Sequence, residues 1–267
     1  MNGELKSISI GSYKIVFKGS VLSQYELVRL VENYSKASLF KRGKVLFIKC
    51  DGKVLALRKY VHGGLLRLIT RDNYFSEKRA IRELSVLFYL KERGFICPTP
   101  YCAIVKRGLL FKKLYLITER IENSKPFLEV LKETRGLRRA RYIYSLARLL
   151  AELYNLRLFH PDFHLLNILA IDSKKLCVLD FDRAKLRMSR RPNDLVKMIL
   201  RLHRHVRAFE KKGELYLEKK EKVLLLRACG RMIGFDLFPY LKKNLKKEEI
   251  LQDLGSFVES LVYRNRK

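Results

Sequence analysis

The sequence predicts an α+β chain of two lobes, a β-rich first lobe with one main helix and a helical second lobe. Two observations carry this. As far as Ile121, short runs of apolar and β-branched residues are closed by turn residues, and only Ser76–Arg93 takes helical spacing. Beyond Asn123 the spacing is helical over most of the remaining length. The expected lobes are 1–122 and 123–267. No repeat, low-complexity segment or Pro/Gly linker separates them, so they form one domain.

In chain order, Lys44–Cys50 and Lys53–Lys59 flank Asp51-Gly52, a strong hairpin signal. Ser76–Arg93 places Ala80, Leu84, Leu87 and Phe88 on one helical face. Gly94 ends that helix as a C-terminal cap, and Pro98 and Pro100 prevent its continuation. A second hairpin is expected from Ala103–Val105 and Leu110–Thr118, turning at Lys106-Arg107-Gly108. Ile143, Leu146, Ala147, Leu150, Leu153 and Tyr154 then recur at helical spacing. A short hairpin follows, Asn167–Ile171 and Leu176–Leu179 around a polar turn at Asp172–Lys175. Helices are expected over Asp194–Lys212, Glu218–Ile233 and Glu248–Tyr263.

With 48% apolar residues the chain can build a core. Its net charge of +30 costs self-repulsion, which points to an anionic partner: nucleic acid, an anionic membrane surface or a polyanionic substrate. Thermophile-type enrichment would raise both signs together, whereas here the bases outnumber the acids 57 to 27. The five cysteines are odd in number and lack CxxC spacing, so a reducing compartment without disulfides or a zinc site is expected. Residues 1–18 hold no apolar core of a secretory signal, and no stretch reaches the ~18 apolar residues of a membrane span.

Chemistry concentrates in His160-Pro161-Asp162-Phe163-His164-Leu165-Leu166-Asn167, with Asp180-Phe181-Asp182 thirteen residues after Asn167. Phosphoryl transfer from ATP needs a carboxylate to accept the proton of the attacking hydroxyl. It also needs a carboxylate and a carboxamide to hold magnesium against the triphosphate. Protein-kinase-like enzymes supply these as a catalytic-loop Asp, an Asn five positions on and the Asp of a DFG-type turn. Asp162, Asn167 and Asp180 have that order and spacing, and the hairpin would bring Asn167 and Asp180 to its open end, facing one ion.

The same chemistry needs a strand cation for the α/β-phosphates, held by a Glu of the following helix. Strand alternation puts Ala56, expected against adenine, on one face with Arg58, and Lys59 on the other. Arg58 is therefore the candidate cation, an exchange for the usual Lys that is not neutral. Lys59 takes the role only if a bulge shifts the register. Glu83 is the expected partner, and Glu119 sits where a hinge would meet adenine through its backbone. The glycine-rich loop is poor, with one glycine in Ser35–Gly43, leaving backbone amides and Lys36 to cover phosphates. His160 reads as a structural residue of the loop. Pro161 stands where many protein kinases carry the Arg that senses a phosphorylated activation loop, which argues against that regulation. Asp182 is expected to touch metal or, preferably, to pair with Arg183.

On these residues the chain resembles the lipopolysaccharide core kinases, among them the 3-deoxy-D-manno-octulosonic acid (Kdo) kinases. The resemblance rests on Leu57–Leu65, Arg79–Leu84, Leu116–Ile121, His160–Asn167 and Leu179–Arg183, and covers about residues 35 to 210. It implies a protein-kinase-like fold, with ATP in the cleft between lobes, and an ATP- and Mg2+-dependent transfer to a sugar hydroxyl, Kdo or heptose, of the lipopolysaccharide inner core. It also implies Asp162 as catalytic base and Asn167 and Asp180 as metal ligands. Phe163-His164-Leu165-Leu166 is less polar than that family leads one to expect, which bears on the acceptor contacts.

A lipid-linked Kdo acceptor carries phosphates and carboxylates at the inner leaflet, so the resemblance gives the charge a use. It implies a cytoplasmic protein, peripheral on the inner membrane. Basic surfaces gain about 1 kcal/mol per Lys or Arg near an anionic leaflet. Arg183, Lys185, Arg187, Arg190 and Arg191 place five cations in nine residues, and Lys197, Arg201 and Arg204 share a helix face beyond them. A solvated charged face is the ordinary meaning of such a run. The competing function is an atypical Ser/Thr protein kinase, RIO-like, with an RNA- or ribosome-facing basic surface. A kinase-like scaffold without turnover is a third, and retention of Asp162, Asn167 and Asp180 together argues against it. No zinc ligands, RNP-type aromatics or helix-turn-helix support nucleic acid.

Overall fold

The computed structural model describes residues 4–19, 23, 26–29, 31–32, 45–50, 52–61 and 72–245. The expected phosphate loop at 35–43 and the helix at 248–263 lie outside them. The chain divides into two compact units, 1–122 with 180–183, and 123–179 with 184–267.

The first unit is built on a six-stranded antiparallel sheet in the order β1-β2-β5-β6-β4-β3. β1 (Lys6–Ile10) and β2 (Tyr13–Phe17) form a hairpin that the sequence reading did not anticipate. β3 (Val45–Cys50) and β4 (Lys53–Lys59) turn at Gly52, whose φ of 73° suits glycine. β5 (Pro100–Arg107) and β6 (Lys112–Glu119) turn at 108–111, two residues later than expected, because β5 stays paired as far as Arg107. Period-two alternation sorts the faces. Ile15, Leu55, Leu57, Ile104, Tyr115 and Ile117 form one buried cluster with Leu27 and Val31. The residues between them face the other way, and there α1 (Lys78–Lys91) packs on β5 and β6 through Ala80, Leu84, Leu87 and Leu90. Gly94, at φ 71°, ends the helix, with Phe95 N–H closing onto Leu90 O at 3.0 Å.

The second unit is mainly helical: α2 (Phe127–Glu133), α3 (Gly136–Asn155), α4 (Pro192–Lys211), α5 (Lys219–Ile233) and α6 (Phe238–Leu245). α3 starts seven residues before the first apolar position that announced it, and α2 and α6 were not expected at all. α3 packs along α5, and the buried Arg139 of α3 fixes that contact. Its Nε meets Glu221 at 2.7 Å, and its Nη1 donates to Tyr216 O at 3.0 Å. The small strands follow the expected hairpin: β9 (Ile168–Ala170) pairs β10 (Leu176–Val178), and β7 (Lys125–Pro126) adds to β9. β8 (Leu158–Phe159), just before the segment 160–167, pairs β11 (Lys185–Leu186). An antiparallel sheet with α1 packed against it, then a helical unit with this hairpin, is a protein-kinase-like α+β fold.

Candidate active site

In the first unit, β4 presents Arg58 beside Ala56, opposite the buried Leu55 and Leu57, as alternation requires. Arg58 ion-pairs with Glu83 of α1, and its Nη1 donates to Asp180 Oδ1 at 2.6 Å. Lys59 points to the other face and pairs with Asp72. No bulge shifts the register, and the cation beside Glu83 is the arginine.

Glu83 is 2% exposed and still accepts three donors. These are the Arg58 guanidinium, the Tyr60 hydroxyl and, at 3.0 Å, the Phe181 N–H. One carboxylate thus ties β4, α1 and the Asp180–Arg183 segment together. Burial pushes the Glu83 carboxyl above its usual range, and Arg58 offsets part of that. Burial pulls Arg58 down, but Glu83, Tyr60 and Asp180 more than compensate, so its pKa lies above the ordinary arginine value. The opposite charge of each partner thus offsets part of the cost of burying the other.

Asp180 has a φ of 63°, a left-handed backbone that an Asp tolerates better than most residues and that turns the chain after β10. Phe181 is fully buried behind it. The expected Asp182–Arg183 pair is not formed by Asp182. Its carboxylate binds Arg79 of α1, with Nε–Oδ2 at 2.8 Å and a second bond from Nη2. Two nitrogens of the Arg79 guanidinium thus converge on one oxygen of that carboxylate. Arg79 also donates to the Tyr74 hydroxyl at 3.1 Å.

Glu119, the expected adenine contact, ends β6. Its N–H already donates to Thr99 O at 2.8 Å, the next amide, of Arg120, donates to Val54 O, and its carboxylate pairs with Lys53. Sheet pairing uses the donor that a hinge would have offered. Ala56 stands between Phe47 and Thr118 on neighbouring strands.

In the second unit the segment 160–167 is anchored by buried Phe163 and Leu165. His160 is buried and donates from Nε2 to Leu179 O at 3.2 Å, holding the loop to the end of the β9–β10 hairpin. A 3-10 turn, Leu165–Asn167, folds Asn167 back so that its amide nitrogen donates to Asp162 O at 3.1 Å. That bond consumes the nitrogen and leaves the carboxamide oxygen as a hard donor. The backbone carbonyl of Asn167 accepts from Leu179 N–H at 2.8 Å, one residue before Asp180. Carboxylate and carboxamide oxygens are the donor types magnesium takes, so these side chains fit that ion chemically.

α4 adds two residues whose role was not legible. Arg201 Nη2 lies 3.5 Å from Asp162 Oδ1. One turn on, His205 stacks on His164 with centroids 4.5 Å apart and planes 10° apart. The His164 Nε2 in turn lies 3.3 Å from the Asn167 amide nitrogen. Burial, then the neighbouring His164 and Arg201, depress the His205 pKa to about 4, so the His205 ring is neutral at physiological pH. Sequence spacing put Arg201 on a basic helix face but could not show that the face meets Asp162. Arg187, from the same basic run, is tied to Asp194 at 2.7 Å, whereas Arg190 and Arg191 are exposed.

The family model described as lipopolysaccharide kinase (Kdo/WaaP) family matches residues 36–223. The chain is 29% identical over 197 residues to a 3-deoxy-D-manno-octulosonic acid kinase of Vibrio parahaemolyticus serotype O3:K6, covering 71% of this chain and 79% of that one. It is 32% identical over 182 residues to the enzyme of the same name from Haemophilus influenzae strain PittGG, covering 64% and 73%. A solved structure of a divergent kinase that lacks the glycine-rich loop and regulates membrane ultrastructure of the Toxoplasma parasitophorous vacuole aligns over 85% of each chain at 13% identity and a TM-score of 0.49.

Proposed function

The chain belongs to the lipopolysaccharide kinase (Kdo/WaaP) family, and we propose that it uses ATP and Mg2+ to phosphorylate a hydroxyl of Kdo or heptose in the lipopolysaccharide inner core. The observation that carries this reading is the Arg58–Glu83–Asp180 network. A guanidinium held by a buried carboxylate, with a second carboxylate on its other side, is the assembly that a triphosphate and its metal require.

Asp162 is the base: as the acceptor oxygen attacks the γ-phosphorus, its proton passes to the Asp162 carboxylate and the bond to the β,γ-bridging oxygen breaks, releasing ADP. Magnesium, when bound, neutralises charge on the phosphate oxygens, and Asn167 and Asp180 are its proposed ligands. Arg58 binds the α/β-phosphates, Glu83 positions Arg58, and Ala56 lies against adenine. Arg201 sets a positive charge beside Asp162, which suits an anionic acceptor. A lipid-linked acceptor also places the protein peripherally on the anionic inner leaflet, on the cytoplasmic side.

Phosphotransfer from ATP to Kdo–lipid A, to heptosylated core and to a generic protein acceptor tests the reading. Label on the first or second supports it. Label only on protein would move the atypical protein-kinase reading ahead.

A further inference from the structure

The tip of the β5–β6 hairpin is a built apolar point on the surface of the first unit. Leu109 is fully exposed, Leu110 is 73% exposed and Phe75 is 75% exposed. Phe111, at 37%, completes the patch. These are not scattered side chains. Gly108 N–H donates to Phe111 O at 2.9 Å, and a Cβ at Gly108 would come within 2.8 Å of that oxygen, so the tight turn depends on this glycine. Tyr74 and Lys112 exchange two backbone hydrogen bonds, of 2.9 and 2.7 Å. That bridge brings Phe75 alongside the hairpin, where its ring packs on Phe111 with centroids 5.0 Å apart. Four large apolar residues held together in water, with no core to serve, mark an interaction site.

The surroundings select the partner. Lys106, Arg107, Lys112 and Lys113 flank the turn on both strands. Lys78 and Arg82 project from the start of α1 into an open pocket shared with Arg107 and Lys112. The nearby acids are already engaged, Asp72 by Lys59 and Lys113, and Glu77 by Lys14 and Lys112. An apolar point inside a cationic collar matches a bilayer whose apolar interior lies beneath an anionic surface. No helix among the described residues is long and apolar enough to cross a membrane, so the complementary geometry is interfacial.

We propose that Leu109, Leu110, Phe111 and Phe75 form a wedge that inserts into an anionic lipid bilayer, with the surrounding Lys and Arg side chains against the headgroups. The inference rests on the membrane-facing reading proposed above. It assigns the attachment to this unit, apart from the basic run after Asp180.

The chain contains no tryptophan, so Leu109→Trp introduces a single reporter. Its emission should shift to the blue, and brominated acyl chains should quench it, on adding phosphatidylglycerol/phosphatidylethanolamine vesicles. Phosphatidylcholine vesicles should give little response. Leu109→Ser with Leu110→Ser should weaken flotation with anionic vesicles by about tenfold or more, from the lost apolar burial. Phosphotransfer to a detergent-dispersed acceptor should match wild type. An unquenched indole, or flotation undiminished in the double variant, would overturn the wedge. So would loss of self-association in lipid-free solution with flotation intact, which would assign the tip to a second copy. If neither protein transfers phosphate to the dispersed acceptor, the sugar-kinase reading fails while the flotation result still decides the wedge.

Discussion

At the scale of single residues, Glu83 has the most consequences for its size. Its buried carboxylate is stabilised only by donors from two directions, so Glu83→Gln leaves Arg58 with Asp180 alone. We expect a rise of roughly tenfold or more in the Kd for ATP, because a desolvated charge-assisted bond is worth about 1.5–3 kcal/mol. Titration of nucleotide with each variant checks it, and Glu83→Asp should recover little, being too short to reach all three donors. Arg58 and Glu83 were legible from strand parity and from one Glu on the apolar side of a helix. The partner of Asp182 was not, since Arg79 lies 103 residues away and only the packed α1 brings it near. The engagement of the Glu119 amide was hidden for the same reason: sequence gives a strand end but not which carbonyl faces it.

At the scale of elements, α4 supports the catalytic-loop segment through Arg201 and His205. The folded-state pKa of His205, about 4, lies below its ordinary 6.5. The neutral ring is therefore the one the fold favours. Its contribution to stability is fully present above pH 6.5 and is lost as pH falls toward 4. Discounted for solvent screening, that loss is about 1 kcal/mol. Urea midpoints at pH 7 and pH 4.5 should show a smaller decline in His205→Gln than in wild type. An equal decline in both would remove His205 from the account. The α3–α5 contact makes a larger claim. Arg139→Ala strands Glu221 and should cost about 3–5 kcal/mol, whereas the double change to Met and Leu should be far milder. The long helices were visible because their apolar stripes run for several turns. The seven residues of α2 and the five-residue strands β1 and β2 are too short for periodicity to show, and β1 alternates isoleucine with serine and so carries little apolar signal.

At the scale of the molecule, the +30 charge predicts binding that weakens with salt, since exposed charges are screened beyond about 8 Å at physiological ionic strength. Arg187 is held by Asp194, so Arg190 and Arg191 are the better probes of the basic run. Arg190→Ser with Arg191→Ser should raise the acceptor KM and leave ATP affinity unchanged. A fall in ATP affinity instead would move these arginines to the nucleotide. The two-unit order was readable because composition changes near Asn123, but the grouping of Asp180–Arg183 with the first unit was not, as it depends on Glu83, Arg58 and Arg79 reaching across the sequence. In the proposed reaction Asp162 moves the proton and Asp180 holds the metal, so the deciding measurement is Mg2+-dependent ATP binding and phosphate transfer to Kdo–lipid A in Asp162→Asn and Asp180→Ala side by side. Asp162→Asn should keep ATP affinity and lose about 10²–10⁴-fold in turnover, whereas Asp180→Ala should lose Mg2+-dependent binding and turnover together. Undiminished transfer by either variant would contradict the account.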